Sequence, residues 1–470
     1  MDRRQFIKNS TLTTAGAAVA GQSMLAATTK GDNKARPNIV LIMTDQQTAN
    51  AMSCAGNTDL RTPSMDYLAN RGTRFKKAYC PSPLCGPSRS SMLTGQLPHA
   101  LDATINLPEK SGYWKPDVKI MGKIFKEGGY DTGYVGKWHL PVSVEETEFH
   151  GFDYITNTLR RDWQDASIPS DCNDFLTQKR ENPFLMVASF INPHDICEWA
   201  RNEALRMEPI GQTPVPEDCP SVPENYAIPE GEPSILREQQ KRSWKTYPTM
   251  DWDKNQWRQY RWAYNRLVER VDRYVGYVIN ALAKNKLLDN TVIIFTSDHG
   301  DGNGSHRWNQ KQVLYQEVVN VPFIVCDPRQ EFSGANSQQI VNVGLDLIPT
   351  MCQYAGIKVP AELTGEGQMP YVADAGKGSN GKVTVIETEF AKGTQSFGIT
   401  GRAVLTADWK YIVYSEGEKR EQLFNLATDP GEMNDLMLSG KYRSKVKEMK
   451  KHLEQWCRKH QDAFSELIPG

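Results

Sequence analysis

Pro81-Ser82-Pro83-Leu84-Cys85-Gly86-Pro87-Ser88-Arg89-Ser90-Ser91-Met92-Leu93-Thr94-Gly95 joins two kinds of secondary structure. The preceding run, Thr73–Tyr79, reads as a strand. Pro87 suits the first turn of a helix and Gly95 suits its stop. Cys85 is therefore predicted at a helix N-terminus, where free N–H groups and the helix dipole attract anions. A lone loop cysteine is more often an inert small residue than a nucleophile. Cys-x-Pro-Ser-Arg is much rarer by chance than a lone cysteine.

The same strand-then-polar-turn pattern recurs on both sides. Asn38 to Thr44 is a continuous apolar run, typical of a buried parallel strand, and it ends in Asp45-Gln46-Gln47. Thr62-Pro63 opens a helix that Gly72 closes. Residues 118–126 read as a helix and 130–135 as a strand, which leads into Gly136-Lys137-Trp138-His139. Residues 184–191 form another buried strand, followed by Asn192-Pro193-His194-Asp195. Residues 255–286 are a long amphipathic helix whose aromatic stripe is read as core. The strand 291–296 then delivers Ser297-Asp298-His299-Gly300-Asp301.

This alternation predicts an α/β fold with a large mixed, mainly parallel sheet sandwiched by helices. Polar residues gather past the strands' carboxyl ends, where open α/β sheets place their ligands. The stretch 207–249 holds eight prolines and no clear element; it is expected to be a loop facing the substrate, or an ordered surface crossing. From about residue 382 short strands follow at 383–387, 403–406, 409–414 and 422–425, then a helix at 442–463. The main domain is thus placed at 36–374. A smaller C-terminal domain with a short antiparallel sheet and a helix is placed at 382–470, after the Gly/Ser-rich stretch 375–381.

Composition fits a globular chain: 39% apolar and 24% charged residues over 470 positions. The net charge of −1 gives no global field for nucleic acid or an anionic membrane. An anionic ligand would need a local basic pocket. Nine cysteines show no metal-like CxxC pair, and no disulfides can be assigned among them. Residues 1–30 begin Asp2-Arg3-Arg4-Gln5-Phe6 and continue as a mildly apolar Ala/Gly/Thr run to Leu25-Ala26-Ala27. They read as a twin-arginine export signal, so the mature chain is expected to be periplasmic or secreted. That run is too short and too weakly apolar for a membrane span.

Asp45, Gln46, Asp298 and His299 offer oxygen donors and one imidazole at two strand ends, a set that suits a divalent cation. A single strand-end aspartate is commonly only a helix cap; together with Cys85 the set is specific. At this point the chain resembles the type I sulfatases of the alkaline phosphatase-like superfamily. The resemblance covers nearly the whole mature chain. It rests on Cys85 to Arg89 with Leu93-Thr94-Gly95, on Asp45, and on Gly136-Lys137-Trp138-His139. It continues through Pro193-His194, Asp298-His299 and the segment from His306 to Lys311. At the C-terminus it includes Trp409-Lys410-Tyr411, Gln422 to Leu426 and Asp429-Pro430.

The resemblance implies hydrolysis of a sulfate ester, on a small molecule or a sulfated polysaccharide, with Cys85 converted to formylglycine by a maturation enzyme. It implies that Asp298 helps deprotonate the hydrated aldehyde, which attacks sulfur and expels the alcohol. His194, with Lys311, would protonate the leaving oxygen, and His139 would take a proton from the second hydroxyl so that sulfate departs. Lys137, Lys311 and Arg89 would hold sulfate or steady the nucleophile, and His306 would contact substrate or only pack. The metal set would be Asp45, Gln46, Cys85, Asp298 and His299. Calcium is the first choice and manganese or magnesium the alternatives, because Gln46 and His299 stand where many relatives have an acid and an asparagine. Asp-His also occurs in relatives that cleave phosphonate or phosphate esters, so a phosphodiesterase or phosphonate monoester hydrolase is the alternative activity. A non-catalytic saccharide-binding relative is the third reading.

Overall fold

The run Asn38–Asp45 forms β1, and every residue in it is buried. Its apolar side chains alternate between two cores, with Ile39, Leu41 and Met43 on one face and Val40 and Ile42 on the other. A strand with both faces covered needs no polar alternation, which is why the sequence run is continuous. The computed structural model describes residues 36–108, 115, 117–156, 165–330, 334–373 and 381–470. The predicted export signal lies outside these residues, as does the 375–381 stretch apart from Gly381.

Seven more strands complete the large sheet: β2 (Thr73–Tyr79), β3 (Asp131–Gly136), β4 (Tyr154–Thr156), β5 (Phe184–Pro193), β6 (Thr291–Ser297), β7 (Phe323–Cys326) and β8 (Ala335–Asn342). Their order is β4-β3-β5-β1-β6-β7-β2-β8. Only β7 runs against its neighbours β6 and β2. The carboxyl ends of β1, β2, β3, β5 and β6 therefore share one edge, with β1 central between β5 and β6. The expected mixed, mainly parallel sheet is present.

One face of the sheet is covered by the helix Lys254–Lys284, opened by a capping box between Asp253 and Gln256. Its stripe of Trp257, Tyr260, Tyr264, Leu267, Val268 and Val271 is fully buried, as expected of a core face. The other face carries the helices Cys85–Thr94 and Val343–Ala355.

A second sheet of four antiparallel strands contains β9 (Thr384–Lys392), β10 (Gln395–Leu405), β11 (Trp409–Tyr414) and β12 (Glu421–Asn425), in the order β12-β11-β10-β9. Ile386, Phe390, Ala403 and Ile412 join the core of the large sheet. Val385, Val404, Val413 and Leu423 instead pack on Met449, Leu453 and Cys457 of the helix Arg443–His460. Arg36–Gly470 forms one compact unit.

The proline-rich stretch departs from expectation. It contains the single-turn helix Pro216–Asp218 and the helix Ser234–Arg242. The latter buries only two apolar side chains, Ile235 and Leu236, together with Gln239 and Gln240, so its sequence carries almost no apolar period.

Candidate active site and metal centre

The five strand ends at one edge of the sheet bring the chemistry together. Asp45 closes β1; Lys137 and His139 follow β3; His194 follows β5; Asp298 and His299 follow β6. Cys85 comes from the loop after β2 and is the first residue of the helix Cys85–Thr94, which is buried along its whole length. Leu84 is its N-cap, and Gly95 ends it in the left-handed region at φ 71°, where a side chain would be strained. Gly86 N donates to Asn106 Oδ1 at 2.9 Å, and Ser88 Oγ donates to the Asp298 carbonyl at 2.6 Å. The second bond ties the first turn to the end of β6, and the first ties it to the Asn106 loop.

Around the Cys85 sulfur, Lys311 Nζ donates at 3.0 Å, His299 Nε2 lies at 3.1 Å and Asp45 Oδ1 at 3.7 Å. His139 and His194 also act electrostatically on the same sulfur. Asp45 also pairs with Lys137. The Arg89 guanidinium, wholly buried, donates through Nε to Asp298 Oδ2 at 2.7 Å and lies 3.4 Å from Asp45 Oδ2. It is fixed in turn by the Lys137 carbonyl at 2.9 Å and Ser189 Oγ at 2.8 Å. Arg89, Lys137 and Lys311 thus gather three cations around two carboxylates and the Cys85 sulfur in a buried cluster, a local concentration of positive charge in a chain of net charge −1.

The protonation states follow from this packing. Burial alone would raise the Cys85 thiol, but Lys137, Lys311 and His299, with His139, outweigh it and hold the thiol well below its usual range. Burial and Cys85 push Asp45 up, while Lys137, His194 and Arg89 pull it below the ordinary carboxylate range. Asp298 moves the other way, raised by burial and by the charge of Asp45. Burial, then the Lys311 charge, holds His194 down to about 4.

A divalent cation fits the group formed by Asp45, Cys85, Asp298 and His299. All four are buried, and one ligand atom from each lies within 4.8 Å of the others. His299 Nδ1 is 2.8 Å from the Gly300 carbonyl, to which it donates, so Nε2, 3.8 Å from an oxygen of each aspartate, is the ring atom that would ligate a cation. Before a cation binds, burial opposes but Asp298 and Cys85 raise the ring's pKa and favour a proton on Nε2. Gln46 enters this group by its backbone, whose N–H donates to Asp298 Oδ1 at 3.1 Å. Its side-chain amide turns instead to Asp301 Oδ2 at 2.8 Å and Cys197 Sγ at 3.3 Å.

His306 lies elsewhere. It is fully buried, stacked on Tyr315 with ring centroids 3.9 Å apart, and held down to about 3 by burial and then by Arg237 and Lys410. It forms with Glu317 and Glu432 a second group whose ligand atoms lie within 4.8 Å of one another.

Two features were not assigned from sequence. Asp301, inside the quoted Asp298 motif, accepts from Gln46 Nε2, Tyr260 OH, Asn303 N and Gln310 N, at 2.7 to 3.1 Å. It ties the end of β1 and the long helix to the residue before Lys311. The proline-rich stretch, expected to face substrate, braces the same loop. Tyr247 OH donates to the Lys311 carbonyl at 3.1 Å, Gln239 Nε2 to Gln312 Oε1 at 2.9 Å, and Thr249 Oγ1 to Asn309 Oδ1 at 2.8 Å. All nine cysteines are free thiols.

The family model described as Sulfatase matches residues 37–357, and that of the C-terminal region of N-sulphoglucosamine sulphohydrolase matches residues 304–459. A Delta 4,5-hexuronate-2-O-sulfatase of Bacteroides thetaiotaomicron is 27% identical, with 92% of this chain and 91% of that protein covered. The solved structure of a 2-O GAG sulfatase superposes with a TM-score of 0.80 at 26% identity, over 92% of this chain and 94% of the other. The phosphonate monoester hydrolase of Agrobacterium radiobacter shares the fold, with a TM-score of 0.74 at 19% identity over 90% of this chain and 96% of the other. The chain belongs to the sulfatase family and is a sulfuric ester hydrolase.

Proposed function

We propose that the chain releases sulfate from an acidic saccharide of the glycosaminoglycan type, using Cys85 in its formylglycine form. The observation that carries this reading is the Cys85 sulfur, set between the Lys311 ammonium at 3.0 Å and the His299 ring at 3.1 Å at a buried helix N-terminus. The saccharide class is supported by the hexuronate and GAG sulfatases to which the chain is similar. Export by the Arg3-Arg4 leader is part of the same reading, since a polymeric substrate lies outside the cell.

A divalent cation, calcium first, would be held by Asp45, Asp298, His299 and the modified Cys85, and would supply charge neutralisation for the nucleophile and the sulfate oxygens. The chain's own residues do the rest. Lys137 and Lys311 present ammonium groups to the sulfate oxygens, where preorganised charge stabilises the transition state. Arg89 keeps Asp45 and Asp298 ionised and in place. Before substrate binds, His194 is neutral, and the negative charge of a bound sulfate ester would raise its pKa so that, beside Lys311, it can give a proton to the leaving alcohol oxygen. His139 is set to take one from the nucleophile so that sulfate can leave. Burial of the whole set excludes bulk water and strengthens each of these interactions.

The second reading, phosphonate or phosphate ester cleavage, is favoured by one feature, the imidazole of His299 in the metal group. Turnover of the sulfate and phosphate monoesters of one sugar by the same preparation separates the two. A higher kcat/KM for the sulfate ester is expected. A higher value for the phosphate ester would overturn the proposal.

A further inference from the structure

The helix Arg443–His460 concentrates positive charge that the rest of the chain does not show. It carries seven lysines and arginines against two glutamates, while the chain as a whole has a net charge of −1. Its buried face, Met449, Leu453 and Cys457, is fully explained by packing on the small sheet. Its charged face is not. Lys445 pairs with Glu448 at 2.6 Å, and Lys450 with Glu421 at 2.8 Å. Arg443, Lys447 and Lys451 are exposed and have no acidic partner among the described residues. They recur every fourth residue, so they stand one above another on one helix face, a spacing of like charges that disfavours the helix.

These three cations rim a groove of about 810 Å³, in the range of ligand-sized clefts. Met437, Tyr442 and Val446 supply its apolar surface. Tyr442 is 37% exposed and rests beside the Trp409 ring, with centroids 5.9 Å apart. Glu454 is the one acidic side chain in the lining. None of the lining residues belongs to the Cys85 site. A flat, half-exposed aromatic ring flanked by a row of unpaired cations is complementary to a sugar ring that carries sulfate or carboxylate groups.

We propose that this groove is a second, non-catalytic binding site for a sulfated polysaccharide, which holds the polymer while the Cys85 site removes sulfate. The choice of occupant rests on the sulfatase reading above; the basic groove stands apart from it. The test uses the full mature chain and heparin as probe, with duplex DNA as a polyanion without sugar rings exposed for stacking. In the triple variant Arg443→Ser, Lys447→Ser, Lys451→Ser, the heparin Kd is expected to rise about tenfold, the scale of three exposed charge contacts at low salt. A charge-retaining variant, Arg443→Lys with Lys447→Arg and Lys451→Arg, should bind as the parent does. Tyr442→Ala should weaken heparin binding and leave DNA binding unchanged. Turnover of a small sulfate ester should be unaffected by all of these, while KM for a sulfated polymer rises in the triple variant. An unchanged heparin Kd in the folded triple variant would overturn the proposal, as would a Tyr442→Ala variant that binds both polyanions like the parent. Because binding is read without turnover, failure of the sulfatase reading would leave the heparin result standing, and the two failures can be told apart.

Discussion

Arg89→Met removes the only guanidinium among the described residues that bridges both metal-site aspartates. The wild-type side chain has no exposed surface and makes four contacts, to Asp298 Oδ2 at 2.7 Å, Ser189 Oγ at 2.8 Å, the Lys137 carbonyl at 2.9 Å and Asp45 Oδ2 at 3.4 Å. Methionine fills similar space and supplies no donor. Asp45 keeps Lys137 as a partner, and Asp298 keeps the backbone N–H groups of Gln46 and His299. The variant therefore loses one buried charge without exposing the carboxylates. Breaking a buried pair in this way costs about 3–5 kcal/mol, a large part of the roughly 5–15 kcal/mol that holds a protein folded. With a urea dependence of a few kcal/mol per molar, the unfolding midpoint should fall by on the order of 1 M. Arg89→Lys keeps charge but cannot fork between two carboxylates, so it should fall in between. The assay is urea unfolding of chelator-treated protein followed by tryptophan fluorescence. A midpoint unchanged within fitting error in Arg89→Met would refute the reasoning, because it would mean the two aspartates do not depend on this cation.

Asp301→Asn replaces an all-acceptor carboxylate, which four donors face, with a group that must present two N–H donors. A loss of about 1–3 kcal/mol in transition-state stabilisation is expected, visible as a roughly 10–100-fold lower kcat with Lys311 mispositioned. If kcat stays at the parent value, Asp301 does not position the site. Stability should also depend on pH through His99. His99 Nδ1 meets Glu387 Oε1 at 2.7 Å, and although burial opposes it, the pair with Glu387 raises the His99 pKa. Raised in the folded state, it contributes stability fully below the unfolded value of about 6.5 and loses that contribution as pH climbs through the folded value. Wild type should thus exceed His99→Gln in urea stability by on the order of 1 kcal/mol at pH 6, and the gap should narrow by pH 9. A gap that widens with pH would contradict the pairing.

Much of the fold was legible because buried parallel strands are continuous apolar runs. β1, β5 and β6 announce themselves, and the polar residues that follow them converge once the strands are parallel. Cys85 was placed at its helix N-terminus by the proline and glycine around it. Other elements carry no such signal. The helix Ser234–Arg242 buries two glutamines beside two apolar residues, and β10 begins with exposed Gln395 and Ser396, so neither shows a clean period. Side-chain direction is a further limit. Gln46 sits next to Asp45, but its backbone takes φ 69°, and its amide points to Asp301. His306 lies five residues from Lys311, yet a left-handed turn at φ 52° sends it into a stack with Tyr315. Sequence spacing places a residue near a strand end; it does not say which way the side chain leaves the backbone.

The central claim is that the group at position 85 is the nucleophile for sulfate transfer. The most direct test is inorganic sulfate release from a sulfated, uronate-containing oligosaccharide, by chain whose Cys85 peptide carries formylglycine by mass, beside Cys85→Ala prepared in the same way. The account predicts sustained sulfate release by the former and background release by the latter, with both chains folded. Equal release by the two would contradict it and move the chemistry away from Cys85.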